Sequence, residues 1–541
     1  MTTATWKRWA FPGAIALAVL PLVVSAVALV LGNTYRPMAD EAWIELQIRD
    51  IGHHAVLLGP YSRFGWFHPG PLLYYALWLP YRLTGSSGTS VALAALTLNA
   101  LVVVAIAFVA RRRGGLPLVL ITLFLVGLLC AGEGTQFTRD VWNPLITVLP
   151  FVLLVFVAWT MSCAEAWALP VGVAVATFLV QTHVGYGPVA SVLLLGGLVG
   201  AAITGWRRRG DAHHRARVRS WLRMLVVTVG VAVILWLPVV VQQVRDEPGN
   251  LGTLLRFFRD HGREHSYGDA WHVVASQLSA WPDWVHGHVV RNIYSGAIDL
   301  SGAAPIAVWA IVLVAAAVLT WRHAKDAFRL DVLLALTIVV AVVSVSRIVG
   351  EIFPYLVTWT WAVGMLTWLA IAWSVVSWWQ HRDAPDALVG RIGIGVVAAA
   401  LVVVSLANAV DAATADNPDP EGSRRVEELV GKVRHALPAG DGVVEIRAGT
   451  TPGSAWIGAG IAAQLERDGI TTRVAPDLGF AYGHDRVLGD EHVRLVVLPV
   501  EDPDVAATRA QPCYDDAGRA GKYTLFVADP TCLHPRPVGG G

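Results

Sequence analysis

RPMADEAWIELQIRDIGHHAVLLGPYSRFGWFHPGP, residues 36 to 71, stands between two strongly apolar segments, and its reading decides what kind of molecule this is. A connection between membrane helices needs only a few residues, whereas this one collects Asp40, Glu41, Asp50, His53, His54, Tyr61, Arg63 and His68. Long loops that concentrate carboxylates, imidazoles and aromatic rings are where chemistry sits on a rigid scaffold. The stretch is therefore a candidate reaction centre at a membrane surface.

The surrounding composition says which membrane architecture holds it. Of 541 residues, 55% are hydrophobic and only 15% charged, too apolar for a soluble protein with one core, so a polytopic α-helical membrane protein is expected. The run from Phe11 to Leu31, behind Lys7 and Arg8, continues past the small-residue site Ala26-Val27-Ala28 and is read as a spanning helix, because a signal core needs only about 7–15 residues. Further spans are expected at Val91–Ala110, Leu116–Ala131, Pro144–Met161, Ala166–Val180, Pro188–Thr204, Leu222–Val241, Ala304–Trp321, Val332–Val345, Val357–Trp379 and Ile392–Val410, eleven in all. Leu72 to Leu83 is too short to cross and contains Pro80, so it reads as a half-helix or interfacial helix.

Charge orients this ladder. Arg111 to Gly115, Trp206 to Ser220, Trp321 to Arg329 and His381 to Arg391 hold most of the arginine of the membrane part, and all fall on one side when the N-terminus is inside. The opposite, extracytoplasmic side receives the loops 32–71, 132–143 and 242–302, and everything after the membrane domain 1–410. Residues 411–422 read as a linker, with Pro418-Asp419-Pro420-Glu421-Gly422 at its end.

Residues 423–541 change character. Arg424–His435 and Gly453–Arg467 read as helices, and Val443–Ile446, Thr471–Val474, Val493–Pro499 and Tyr523–Val527 as strands, an alternation that predicts a small α/β domain with a partly parallel sheet. It carries no Walker GKS/T, and Gly458-Ala459-Gly460-Ile461-Ala462-Ala463 fits a nucleotide-loop pattern only loosely and inside a helix, so an accessory role is expected. Cys513 and Cys532 could pair if the domain is extracytoplasmic, while Cys130 and Cys163 act as small hydrophobes.

Asp40-Glu41 admits a plain structural reading, with Asp40 as N-cap and Glu41 in the first turn of a helix. A resemblance gives it another. Asp40-Glu41-Ala42-Trp43, an amphipathic segment, and then Phe64-Gly65-Trp66-Phe67-His68-Pro69-Gly70-Pro71-Leu72-Leu73-Tyr74-Tyr75 resembles the first extracytoplasmic loop of the GT-C superfamily, integral membrane glycosyltransferases that use polyprenyl-phosphate-linked sugars. In that family an acidic motif follows the first span and a His/Lys-Pro-Pro-Leu-Tyr-type motif opens the next helix; here Gly70 stands where the second proline would be. The resemblance implies Asp40 as catalytic base, supported by Glu41, with Asp140 in the second outer loop as the family's second acid. Such a reaction would invert the anomeric centre. It also implies a sugar donor on polyprenyl phosphate, an envelope glycan, lipid or protein acceptor, a bilayer, and no nucleic acid.

A departing phosphate needs a cation, and Arg63, Arg139, Arg291 and Arg347 are the outer-side arginines that could supply a bidentate fork. Tyr61, His68 and His183 join Arg63, Arg139 and Arg347 as expected substrate-binding residues, His183 because polar groups at a span's end usually face a cavity. Asp50, His53 and His54 are read as interface residues, and the tryptophans of 242–302 as membrane-belt anchors or a sugar-stacking lid. A divalent ion would find carboxylate and imidazole ligands here, but no HExxH-like spacing assigns them, so metal dependence is an open expectation. The rival classes are a transporter or lipid flippase, disfavoured by spans with almost no charge at their centres, and a catalytically silent glycan-assembly scaffold. The expected location is the plasma membrane, with the active face outside.

Overall fold

The computed structural model describes residues 3–32, 35–287, 296–382, 386–417, 419–437, 443–447, 452–489, 493–521 and 523–528. Each of the eleven apolar segments lies largely within a helix. Among the described residues, eight helices are long and apolar enough to cross a membrane. The difference has local causes. Gly88–Glu133 holds two of the segments, joined at Gly115, whose φ of 66° and ψ of −156° break the helix. Ala168–Thr182 and Val308–Thr320, with 15 and 13 residues, are shorter than a full crossing of about 20. Eleven is thus a count of apolar helical segments and not of full-length spans.

The bundle is built around Asn143–Ser162, whose hydrophobic window is wholly enclosed, which is why that segment is apolar on every face. At the far end of the leg that starts at Gly88, the arginine turn is knitted by Arg112 to Glu165 (2.9 Å), Arg113 to Asp326 (2.5 Å) and Arg111 over the Phe11 ring (4.1 Å). Leu72–Leu83 forms the expected short helix with Pro80 inside it.

The other end of the bundle carries the α/β domain. Its strands are β1 (Val443–Ile446), β2 (Thr471–Val474), β3 (Val493–Pro499), β4 (Tyr514–Ala520) and β5 (Tyr523–Ala528), in the order β2-β1-β3-β5-β4. The first three are parallel, and β5 and β4 complete the sheet antiparallel. The sequence pattern missed β4, whose YDDAGRA lacks β-branched residues; it is an edge strand with a register shift between Asp516 and Gly518.

This domain does not hang free. Ala42 and Leu46 of the first-loop helix Ala39–Asp50 are buried in one core with Val426, Ile461, Ala462 and Leu465 of the domain. A Cβ on Gly460 would stand 2.8 Å from the Pro37 carbonyl oxygen, so the glycine at this position permits that close approach. Beneath this contact Glu45, fully buried, accepts two bonds from Arg467 Nη1 (2.5 and 2.6 Å) and one from the Tyr81 hydroxyl (2.8 Å).

Candidate active site

Helix Ala39–Asp50 presents Asp40 in an unexpected way. Met38 holds the N-cap position, no side chain caps the helix, and Ala39 adopts a φ of +48°, a left-handed conformation that costs a non-glycine residue of order 1 kcal/mol. Asp40 is therefore not a capping acid. Its carboxylate accepts a hydrogen bond from the Tyr61 hydroxyl, while Glu41 turns away to accept one from Tyr35.

Tyr61 is placed by a tight turn. Ser62 N donates to Trp66 O (2.8 Å), Gly65 takes a φ of +76°, and Tyr61 bridges Phe67 antiparallel, after which His68 N donates to Pro60 O (2.8 Å). Asn250 clamps the returning arm, accepting from Phe67 N (3.0 Å) and donating to Phe67 O (2.9 Å). Gly70 explains itself here. A Cβ on it would lie 2.4 Å from Gln181 Oε1 and 2.6 Å from Val239 Cγ2, so the chain can pass this helix pair only without a side chain. Gly70→Ala is expected to lower the melting temperature of the purified protein by several degrees through this overlap, about 1–3 kcal/mol; an unchanged melting curve would show that Gln181 yields freely.

A cavity of about 200 Å3 opens beside Asp40, lined by Trp43, Tyr61, Phe67 and Asn143 from the bundle side and by Phe480 and Gly483 from the α/β domain. Trp43 meets Tyr61 edge-on at 5.1 Å and Tyr482 at 5.8 Å, and Tyr61 meets Phe480 at 5.6 Å. Only part of Asp40 reaches this cavity, and the rest of its carboxyl is enclosed by protein. Burial above all, with the nearby Asp140 carboxylate adding to it and the Tyr61 bond opposing it, therefore raises its pKa to about 6. Asp140, buried, accepts a bond from Trp142 N (2.8 Å). The two acids expected from the sequence thus lie within electrostatic reach of each other. Tyr61→Phe removes the bond that favours the charged carboxylate, so the acidic limb of any rate profile governed by Asp40 is expected to move to higher pH; a limb that stays in place would uncouple the two residues.

The other expected residues divide. Arg63 stacks over Phe64 (4.9 Å) and Phe353 (5.3 Å) and lies 3.5 Å from the Tyr355 hydroxyl, and Tyr355 is in electrostatic contact with both Arg63 and Asp40. His68 and His183 stack at 4.8 Å; His68 Nδ1 accepts from Val184 N (3.0 Å), and His183 Nδ1 is buried with no partner among the described residues. Burial pushes His68 well below its usual range and His183 down to about 4, so near neutral pH the pair stands as neutral imidazoles and supplies no positive charge. Arg139 turns inward, donating to Ser25 Oγ (2.5 Å) and Ala412 O (2.8 Å), and so ties the first apolar helix to the last. Arg347 is exposed in the turn after Lys325–Val345. Arg291 and Cys532 lie outside the described residues.

Three side chains overturn the sequence reading or escaped it. Asp50 is not an interface residue but a buried partner of Arg486, with two bonds of 2.8 Å. Trp284 is no belt anchor: it is fully buried between Gly132 and Gly364, at both of which an added Cβ would overlap it, whereas Trp281 is exposed. Phe480, in the cavity wall, lies some 400 residues from Tyr61, and only its aromatic character in a short turn hinted at a surface role. Among the described residues no group of three or more His, Cys, Asp or Glu converges as a metal site; Glu41 and His68 face other partners.

The fold is shared with solved structures of low sequence identity. The solved structures that resemble it include ArnT from Cupriavidus metallidurans bound to undecaprenyl phosphate, with a TM-score of 0.58 and 13% identity, over 99% of this chain and 100% of that one. The apo form of the same ArnT aligns equally, at 0.58 and 14% identity, with the same coverage. Arabinosyltransferase EmbB from Mycobacterium smegmatis matches at 0.34 and 14% identity, over 77% of this chain and 42% of that one. No family model and no curated protein matches the sequence.

Proposed function

We propose that the chain is a membrane glycosyltransferase that moves a sugar from a polyprenyl-phosphate donor to a hydroxyl of an envelope glycan, lipid or protein. The observation that carries this reading is Asp40: a carboxylate with a pKa near 6, held by Tyr61 and flanked by Asp140, on a cavity of a GT-C fold. A general base works best when its pKa lies close to the working pH, and burial has moved Asp40 toward that range.

In this mechanism Asp40 takes the proton of the acceptor hydroxyl as its oxygen attacks the anomeric carbon. The bond from that carbon to the donor phosphate oxygen breaks, polyprenyl phosphate leaves on the opposite face with the electron pair, and the configuration inverts. Arg63, set against Tyr355, is the cation that meets the leaving phosphate. The indole, phenol and phenyl rings of Trp43, Tyr61 and Phe480 offer faces on which a sugar stacks. The likeness to an ArnT bound to undecaprenyl phosphate supports the choice of donor.

The active end would face outward from the plasma membrane, as the arginine asymmetry of the sequence implies. Purified full-length protein, offered a panel of polyprenyl-phosphate sugars, is expected to consume one and release polyprenyl phosphate. A panel left intact in the presence of envelope acceptors would refute the reading. A tag after Gly541 should be reachable from outside intact cells, and a tag reached only after lysis would reverse the orientation.

A further inference from the structure

A second cavity, of about 320 Å3, adjoins the first where the C-terminal ends of helices Ala39–Asp50 and Leu72–Leu83 meet the α/β domain. Among the described residues its lining is entirely ionisable, with four guanidinium groups, Arg49, Arg82, Arg473 and Arg486, two imidazoles and three carboxylates. Two of those carboxylates are already committed: Arg486 binds Asp50 through two bonds of 2.8 Å and Glu466 through bonds of 2.7 and 2.8 Å. The third, Asp485, stands 3.6 Å from His54 in an exposed pair.

Arg82 and Arg49 keep donors that are not used among the described residues. Arg82 is exposed, and its side chain has no partner among the described residues. Arg49 holds the Glu466 carbonyl (2.9 Å) through Nη2, while its Nε is buried with no partner among the described residues. Buried donors of this kind are normally satisfied, by protein, water or ligand. A planar fork with a vacant Nε beside a second, uncommitted arginine is the arrangement that takes a tetrahedral oxyanion.

The neighbourhood says whose anion it would be. Asp50, His54 and Asp485 line both cavities, so a group bound here lies next to the Asp40 cavity. The donor's phosphate is tied to a polyprenyl chain that needs an apolar path, and this lining offers no apolar side chain. We propose that this pocket binds a phosphate-class anion borne by the acceptor, and so selects acceptors that carry such a group beside the hydroxyl to be glycosylated. The inference rests on the glycosyltransferase reading for the word acceptor, but not for the binding site itself.

The test uses the full chain in lipid nanodiscs and sn-glycerol 3-phosphate as probe, followed by phosphorus NMR line broadening. In phosphatidylcholine discs the ester is expected to bind the wild type saturably and to weaken about tenfold in Arg82→Gln, the scale of one charge-assisted hydrogen bond. Arg82→Lys should recover part of the affinity. Since Arg82 is exposed and unpaired among the described residues, the variants should melt as the wild type does. Saturable binding that persists in phosphatidylglycerol discs upholds the acceptor assignment. Its loss there would overturn that assignment in favour of a bilayer headgroup, and its absence in phosphatidylcholine, or insensitivity to Arg82, would overturn the site. None of these readouts requires sugar transfer, so a failed donor panel and a failed anion site are separate results.

Discussion

Replacing Asp40 by asparagine is expected to abolish sugar transfer and, at the same time, to make the folded protein harder to melt near pH 7.5. Loss of a general base costs about 10²–10⁴ in rate. The stability change follows from the sign of the shift. The carboxyl has a pKa of about 6 in the fold against an ordinary value of 3.8, so the folded state disfavours its charge. That penalty is absent below 3.8, grows between 3.8 and about 6, and is complete above, where it reaches at most about 3 kcal/mol. The asparagine side chain carries no charge to bury. The melting temperature of Asp40→Asn should therefore exceed that of the wild type near pH 7.5 and converge with it near pH 4. An acid that merely caps the helix would behave in the opposite way, its loss destabilising the protein at neutral pH. Full activity in the variant would remove Asp40 from the base role whatever the melting curves show.

Arg467→Met is expected to be the most destabilising single change in the contact between the first loop and the α/β domain. It leaves Glu45, fully buried, with only the Tyr81 hydroxyl. Removing one partner of a buried pair costs about 3–5 kcal/mol, because the remaining charge stays desolvated. The double variant Glu45→Gln with Arg467→Met removes that charge as well and should recover a substantial part of the loss. Limited proteolysis reads the effect directly, as faster cleavage within 415–422 and release of the C-terminal domain in the single variant. Sugar transfer should fall in parallel, since Phe480 rides on the same domain. Equal protease resistance in single variant and wild type would mean that the shared apolar core alone holds the domain in place.

What was legible in the sequence followed from local period and length. Apolar runs gave the helical segments, Pro80 with a twelve-residue run gave the short helix Leu72–Leu83, and four of the five strands announced themselves as β-branched runs between turn residues. Asp40, Tyr61, Arg63 and Asp140 could be suspected because each lies in a polar loop beside an apolar run. Their partners could not. Asp50 and Arg486 stand 436 positions apart, and Glu45 and Arg467 stand 422 apart; neither separation leaves a trace in local composition. Glu45 looked like one charge on the polar side of an amphipathic segment until the domain closed over it. Trp284 looked like any interfacial indole, and only Gly132 and Gly364, from two other helices, make room for it. Residue type shows that a group can do chemistry, while its neighbours, brought from far along the chain, decide its charge and its exposure.

The cavity beside Asp40 takes one wall from residues 43–67 and another from residues 479–485. A ribosome makes the first of these walls some 400 residues before the second. While the chain is being threaded into the bilayer, the early loop waits with its carboxylate wet and its aromatic rings unmatched, and a product that stops before residue 479 lacks one wall of the cavity. The cavity therefore closes only once residues 479–485 have folded back against the first loop.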